Sequence, residues 1–419
     1  MRKKIQRFLC PILILIFTII SCKTKDENST HKFSDFDREK VLSENIESFS
    51  VNESEISTTI KVPKNLNNEF YLSDVIDSVW YVKLGDIPSD IMTDNLLKIK
   101  IYKKRIYVLD GKNQDLYVFK ENGDFLFPIY SSGMGPGEFT KVSSFSIVPD
   151  KDQIVVFDDR LSKILYYTLD GQFLKENRIG FRFLDFEFID NNTIAVDLNK
   201  TFNDHIPEIE NNQLVMVDST WKIISKAAPY DASTERGLFF SGKTLRNGID
   251  GLTYLQPFTS TVYSIDKSKI VQPKIFIDLD KNALPENTKF NMSFDDFMGT
   301  YGLNHAFLVE NGYDLKDVYY FEMHYEGGKR RYAFHSKSTG NIFYGIPNRD
   351  LEILGFFHIS TSIPEDNVLI SYVSSEEIAA TKSSILDYGI KDKNLIDVLE
   401  KTYDDDNPVL IFYKLRKNF

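Results

Sequence analysis

Residues 106–126, IYVLDGKNQDLYVFKENGDFL, return at 154–174 as IVVFDDRLSKILYYTLDGQFL, aligned without a gap. Ile106/Ile154, Val108/Val156, Asp110/Asp158, Gly123/Gly171, Phe125/Phe173 and Leu126/Leu174 are identical, and Lys112/Arg160 keep their charge. A repeat of about 40–50 residues, made of strands and closed by an Asn-Gly or Asp-Gly hairpin, predicts a propeller blade. A blade cannot bury its two faces alone, so this one feature commits the chain to a ring of such units. The aromatic content, 14% with 33 Phe and 22 Tyr, favours strands over helices.

Read along the chain, the pattern predicts six units. The regular pair covers roughly 96–130 and 141–179. A third starts at Leu184 and carries an insertion, Asn199–Asn212. The fourth spans about 238–279, the fifth about 303–346, and the sixth begins near Glu352 with EILGFFHIS (352–360), followed by NVLISYV. The segment 59–84 reads as two short strands around a turn, LSDVID. After Val373 the period changes: a capping box at Ser374–Glu377 precedes Ile378, Ile385 and Leu386 on one helical face, and Leu395, Val398 and Leu399 repeat that spacing. Two short helices therefore interrupt the last unit before a terminal strand, VLIFYKL. An open ring exposes sheet edges, so Pro408–Leu415 is expected to share a sheet with part of 59–84. The fold class is thus all-β: a six-bladed propeller closed by its N- and C-terminal strands, with a short helical insertion near the C-terminus.

The N-terminus reads as an address. MRKKIQR is a basic start, FLCPILILIFTII is an apolar run shorter than a membrane span, and Ile19-Ile20-Ser21-Cys22 follows. The order of these parts resembles the bacterial lipobox, which implies lipid attachment at Cys22 and removal of residues 1–21. Asp26 and Glu27 soon after the cysteine resemble the signal for the outer face of the outer membrane, the alternative being a periplasm-facing anchor. Residues 22–58, rich in Ser, Asn, Glu and Asp, are expected to be a flexible tether. The domains are then 1–21 signal peptide, 22–58 tether and 59–419 propeller.

Four stretches carry a family resemblance: YLSDVIDSVWYVKL (71–84), SSGMGPGEFTKVSSFSI (131–147), the two regular blades, and DNPVLIFYKLRK (406–417). With them the chain resembles the six-bladed β-propeller lipoproteins of the Bacteroidota, which are related to NHL-repeat propellers. The resemblance implies fold and location; it implies no established reaction. The third unit departs from the pattern, with its insertion and no Asp-Gly turn.

Chemistry is sparse. The only cysteines are Cys10 and Cys22, so the folded part has no disulfide. The six histidines form no HxxxH or HExxH pair; His324 and His335 flank a hairpin and are expected to face each other across it. There is no GxSxG elbow and no glycosidase carboxylate pair, so no catalytic residue is assigned. Gly133, Gly135, Pro136, Gly137, Glu138 and Phe139 form the loop with the most unusual backbone demands. With a strand rather than a helix after it, this loop is expected to be a crossover between blades in which Glu138 caps amides and Phe139 plugs the core, not a phosphate cradle. Asp110 and Asp158 are the candidates for a metal, calcium being the one weighed, by analogy with calcium-dependent lactonases of related fold; otherwise no cofactor is expected. The resemblance to NHL repeats implies instead that these carboxylates take turn amides. A formal charge of −11 argues against nucleic acid. The expected role is a binding module, monomeric, for a peptide, glycan or protein, with the loops 199–212, 230–250 and 290–305 as the surface. The alternatives are a lactonase- or lyase-type enzyme and an accessory subunit of an outer-membrane transport or sensing complex.

Overall fold

Strands Arg105–Asp110 and Gln153–Asp158 are buried almost along their whole length. A two-stranded hairpin in water would alternate, so both faces of these strands must be covered by other sheets. The computed structural model shows what covers them. It describes residues 33, 36–49, 56–88, 92, 95–129, 133–232, 243–268, 270–309, 311–350, 352–387 and 389–419. Residues 36–419 form one unit containing six sheets of four or five strands among the described residues. Each is built on four strands in antiparallel order, and the inner strands of neighbouring sheets approach one another. This is the expected six-bladed propeller.

Blade 1 runs from Leu96–Tyr102 to Phe125–Ile129 and blade 2 from Ser144–Val148 to Phe173–Arg178. Blade 3 runs from Asp185–Phe188 to Ile223–Pro229, blade 4 from Leu245–Gly248 to Val271–Asp278, and blade 5 from Gly312–Asp314 to Ile342–Asn348. Tyr107, Val118 and Leu165 pack with Phe145 and Val156 between the first two blades, which is why the repeated apolar positions recur. Gly123 and Gly171 recur for a backbone reason. Both have positive φ, and a side chain at Gly123 would run into the Lys83 carbonyl while one at Gly171 would meet the Phe127 ring.

Blade 6 closes the ring. Ile359–Ile363, Val368–Val373 and the C-terminal strand Val409–Leu415 are followed outward by Ile76–Lys83 from the N-terminal part. Val409 pairs with Lys83 and Lys414 with Ser78, so the expected pairing of the two ends holds from Val409 onward. Its first strand begins at Ile359, so 352–358 of the segment expected to be strand lies outside it. The expected helices are Ser375–Asp387 and Lys393–Lys401; the Glu377 amide donates to Ser374 Oγ, and Ile378, Ile385, Leu395 and Leu399 are buried. LSDVID forms one helical turn, Leu72–Val75, that leads into the closing strand.

Part of the segment 22–58, expected to be a flexible tether, is instead paired with the ring. Asp37 caps a helical turn, Arg38–Val41, by accepting from the Glu39 amide, and Leu42–Ser48 adds a parallel fifth strand to blade 3. Thr58–Lys61 does the same on blade 4 and Glu69–Tyr71 on blade 5. The chain thus covers the outer edge of three successive blades before supplying the last strand of the sixth. The reason is the edge itself: a polar segment finds partners in an open row of amides and carbonyls, which pattern-reading by hydrophobicity does not register. His324 and His335 do not face each other. His324 pairs with Arg330 and stacks on Phe307, whereas His335 pairs with Tyr319 and stacks on its ring.

Candidate functional site

Because successive strands are antiparallel, connections alternate between the two ends of the ring. At one end every connection is a turn of at most five residues, from Lys103-Lys104 to 337–341. All longer connections emerge at the other: 84–95, 130–143, 179–184, 198–211, 230–244, 279–311, 349–358 and 374–408. Of the three loops singled out from the sequence, 199–212 and 290–305 belong to that end, as does 230–244 of the loop 230–250; Leu245–Gly248 is instead the inner strand of blade 4 and 249–250 turns at the opposite end. Residues 233–242 lie outside the described residues, as does Cys22. Six large apolar side chains are more than half exposed among the described residues. Met134 (74%), Phe202 (52%), Phe294 (58%), Leu303 (55%) and Tyr403 (61%) are on the long connections; Tyr71 is on an edge strand.

The inner strands carry charge where the repeat reading gave no warning. LLKIKIY and DFEF alternate, so Lys98 and Lys100 share one face of their strand, and Asp185 and Glu187 share one face of theirs. Lys98 Nζ lies 2.7 Å from Asp185 Oδ1 and 2.8 Å from Glu187 Oε1; Lys100 Nζ lies 2.6 Å from Glu187 Oε2. Ser144 and Ser146 donate to the same carboxylates, and Lys243 approaches Asp185 at 3.8 Å. All four charged groups are buried or nearly so. Burial alone raises a carboxyl's pKa, but Lys243 and Lys98 outweigh it and hold Asp185 well below the usual range. Glu187 is lowered in the same way, with Lys100 the leading ammonium. For Lys98, burial is outweighed by Asp185 and Glu187, so its pKa is raised; for Lys100, burial wins and lowers it. Asp197, next along the wall, has no ammonium so close among the described residues. It accepts from Thr244 Oγ1 and the Asn199 amide, and burial pushes its pKa up to about 7.

On the far side, Glu322 accepts from Tyr320 Oη at 2.7 Å and the Ile359 amide at 3.3 Å, with His358 Nδ1 at 3.0 Å and Arg330 Nε at 3.7 Å. Between blades 4 and 5, Asp314 is gripped by Lys274 and Lys337, each at 2.5 Å. These groups tie adjacent blades together; buried pairs of this kind set register more than they add stability.

The sequence candidates are structural. Asp158 accepts from the Thr140 amide at 2.6 Å, Thr140 Oγ1 at 2.9 Å and the Leu161 amide at 2.9 Å; Asp110 accepts from the Asn113 amide at 2.8 Å. Calcium does not fit Asp158, which spends both oxygens on these donors. Nor does it fit the channel, where ammonium groups already occupy Asp185 and Glu187. Among the described residues no three His, Cys, Asp or Glu side chains are grouped to hold a metal. In the glycine loop, Glu138 Oε2 accepts from the Gly135 amide at 2.8 Å, and Gly133 has no room for a side chain because that carboxylate lies against it. Lys163 Nζ donates to the Gly135 carbonyl at 3.0 Å, the Gly137 amide donates to Glu176 at 2.9 Å, and Phe139 is buried between blades 1 and 2. Pro136 stands at the head of this turn. The loop joins blade 1 to blade 2.

An apolar cavity of about 550 Å³ opens at the long-loop end between blades 4 and 5. Phe258 comes from blade 4, Phe294, Met298, Gly299 and Leu303 from the connection to blade 5, and His324, Gly327 and Gly328 from blade 5. A smaller cavity of about 100 Å³ at the opposite end of the inner strands is lined by Lys100, Glu187, Asn247 and Ser362 among others.

No curated protein matches the sequence. The crystal structure of a "putative exported protein" from Bacteroides fragilis superposes with a TM-score of 0.67, at 18% identity over 88% of this chain and all of that one. The crystal structure of a DUF4221 family member from Bacteroides vulgatus gives a TM-score of 0.48, at 13% identity over 82% of this chain and 98% of that one. At these identities the first likeness is one of fold. No described helix is long and apolar enough to cross a membrane. A profile for a domain of unknown function, DUF4934, matches residues 57–414, and the chain belongs to that family.

Proposed function

We propose that this protein is a binding module of the cell envelope, carried on a lipid at Cys22 and tethered to the outer membrane. Its ligand or partner, a peptide, glycan or protein, docks on the long-loop end. The observation that carries this reading is the asymmetry of the ring: all long connections, and five of the six large apolar side chains that are more than half exposed among the described residues, fall at one end. Loops on a rigid scaffold are where proteins place recognition. The runner-up, a metal-dependent lactonase or lyase, needs carboxylates open to a cation; Asp185 and Glu187 on the inner strands are instead matched by lysines at 2.6–2.8 Å. An accessory role in a transport or sensing complex is one form of the same docking.

The test is site-specific photo-crosslinking in cells. A benzophenone residue placed at Thr201, Phe294 or Tyr403 is expected to give discrete adducts, and one at Asn122, Asp170 or Lys267, on the tight turns, to give none. Adducts from the turn end alone, or from neither, overturn the reading. Replacing Cys22 by Ser is expected to release the protein from membranes; retention would sink the lipid anchor.

A further inference from the structure

The cavity between blades 4 and 5 is built differently from the rest of the long-loop end. Its wall contains three Phe rings, Met298, Leu303, Val309 and three glycines, with the imidazole of His324 as its polar side chain. Phe297, Phe307 and Val309 anchor it from below as a separate apolar cluster, with Phe258, Phe290 and Met298 packed against them. The aromatic rings lock one another: Phe258 lies 5.1 Å from Phe297 and 5.6 Å from Phe307 by ring centroids, and His324 stacks on Phe307 at 5.5 Å. A wall so interlocked does not collapse to fill the space it encloses.

Two features keep the space open. The connection passes from a helical turn, Phe294–Phe297, into a π-helical turn, Met298–Gly302, which widens the backbone there; such turns are rare and recur at functional sites. A side chain built on Gly299 meets nothing within 4 Å, and Gly327 and Gly328 hold positive φ on the facing hairpin, so glycine leaves the wall bare on both sides. At the rim, Phe294 and Leu303 remain exposed although an apolar cavity lies beside them.

We infer that this cavity is a binding site for one uncharged, mainly apolar small molecule, ring-bearing or acyl, or for such a moiety of a larger ligand. Its volume is within the range of small-molecule sites, about 300–1,000 Å³, and far above that of one water. Among the described residues no ionised side chain lines it, so a charged ligand would lose its hydration without a counter-charge. The pattern of an apolar body with one polar group is the usual one for such pockets. This deepens the reading of the long-loop end as the recognition surface and rests on it.

The probe is N-phenyl-1-naphthylamine, uncharged and fluorescent when transferred from water, titrated into the full chain. Saturable binding at one site per chain is expected. Leu303→Glu, at an exposed rim position, and Gly299→Phe, at the open wall, are each expected to weaken it at least tenfold without lowering Tm, while Lys267→Ser, on a tight turn at the opposite end, leaves it unchanged. Absence of saturable binding, or equal binding by both cavity variants, overturns the inference. If one variant misfolds, the other decides. Crosslinking at the long-loop end without probe binding sinks the cavity and spares the docking surface; probe binding without crosslinks does the reverse.

Discussion

Lys98 is where the ring is most sensitive to a single atom. Its ammonium bridges Asp185 and Glu187, and also reaches the Phe186 carbonyl at 3.3 Å and Ser144 Oγ at 3.4 Å, linking blades 1, 2 and 3. Lys98→Met keeps the stem and removes the charge. Breaking one partner of a buried pair costs about 3–5 kcal/mol. Here Lys100 still serves Glu187 at 2.6 Å and Lys243 stands 3.8 Å from Asp185, so the lower figure, about 3 kcal/mol, is expected at pH 7.5. With about 2.1 cal/mol/K per residue of unfolding entropy over residues 36–419, that corresponds to a Tm lower by about 4 °C. The sign of the pH dependence follows from the carboxyls. Asp185 and Glu187 have folded pKa values below their unfolded ones, so their contribution is fully present above the unfolded range and is lost below it, as pH falls through the folded values. Lys98→Met weakens that depression, so the gap between variant and wild type should hold from pH 7 down to about pH 5 and narrow as pH falls below about 4. Thermal and urea unfolding read both effects, and adding Asp185→Asn should cost less than the two single changes summed. A cost under about 0.5 kcal/mol at pH 7.5, or strict additivity, would refute the bridge as argued.

Removing residues 408–419 takes away the strand between Val368–Val373 and Ile76–Lys83, and should replace one sharp melting transition by a broad or lower one; an unchanged transition counts against ring closure. Asp158→Ala strands the Thr140 and Leu161 amides and should cost about 2–4 kcal/mol, with EDTA leaving the wild-type Tm unmoved. A Tm that falls on chelation contradicts the amide-capping role. Asp197 is raised to about 7 when folded, so its protonation stabilises the fold at low pH and that contribution fades as pH rises from about 4 to 7. In Asp197→Asn this decline should be absent, and a pH profile parallel to wild type would show that the carboxyl does not titrate there.

The architecture was legible because it is built from local patterns that repeat. The repeated strands, the Gly123 and Gly171 turns, and the capping residue Ser374 each act within a few residues of chain, and the structure places them as expected. The glycine loop was legible too, since Gly133 and Gly137 advertise an unusual backbone and Glu138 a cap. Lys98, Lys100, Asp185 and Glu187 were not singled out, although alternating charges in otherwise apolar strands were there to see in LLKIKIY and DFEF. A charge at a core position is read as solvated until its partner is known, and the partner here lies 87 residues away. The edge strand Leu42–Ser48 escaped for a related reason: what orders it is the open edge of blade 3, not its own composition.

The sequence by itself determined the blade, its period and the need to close the ring, because those follow from hydrogen bonding and burial within each unit. Which end bears the long loops followed only from the order of strands around the ring. The tertiary structure alone decided that a polar N-terminal segment covers three blade edges, that four charges cancel against the inner strands, and that Phe258, Met298 and His324 enclose an apolar cavity. Each of these joins residues far apart in the chain, and no pattern local to any one of them encodes its partner.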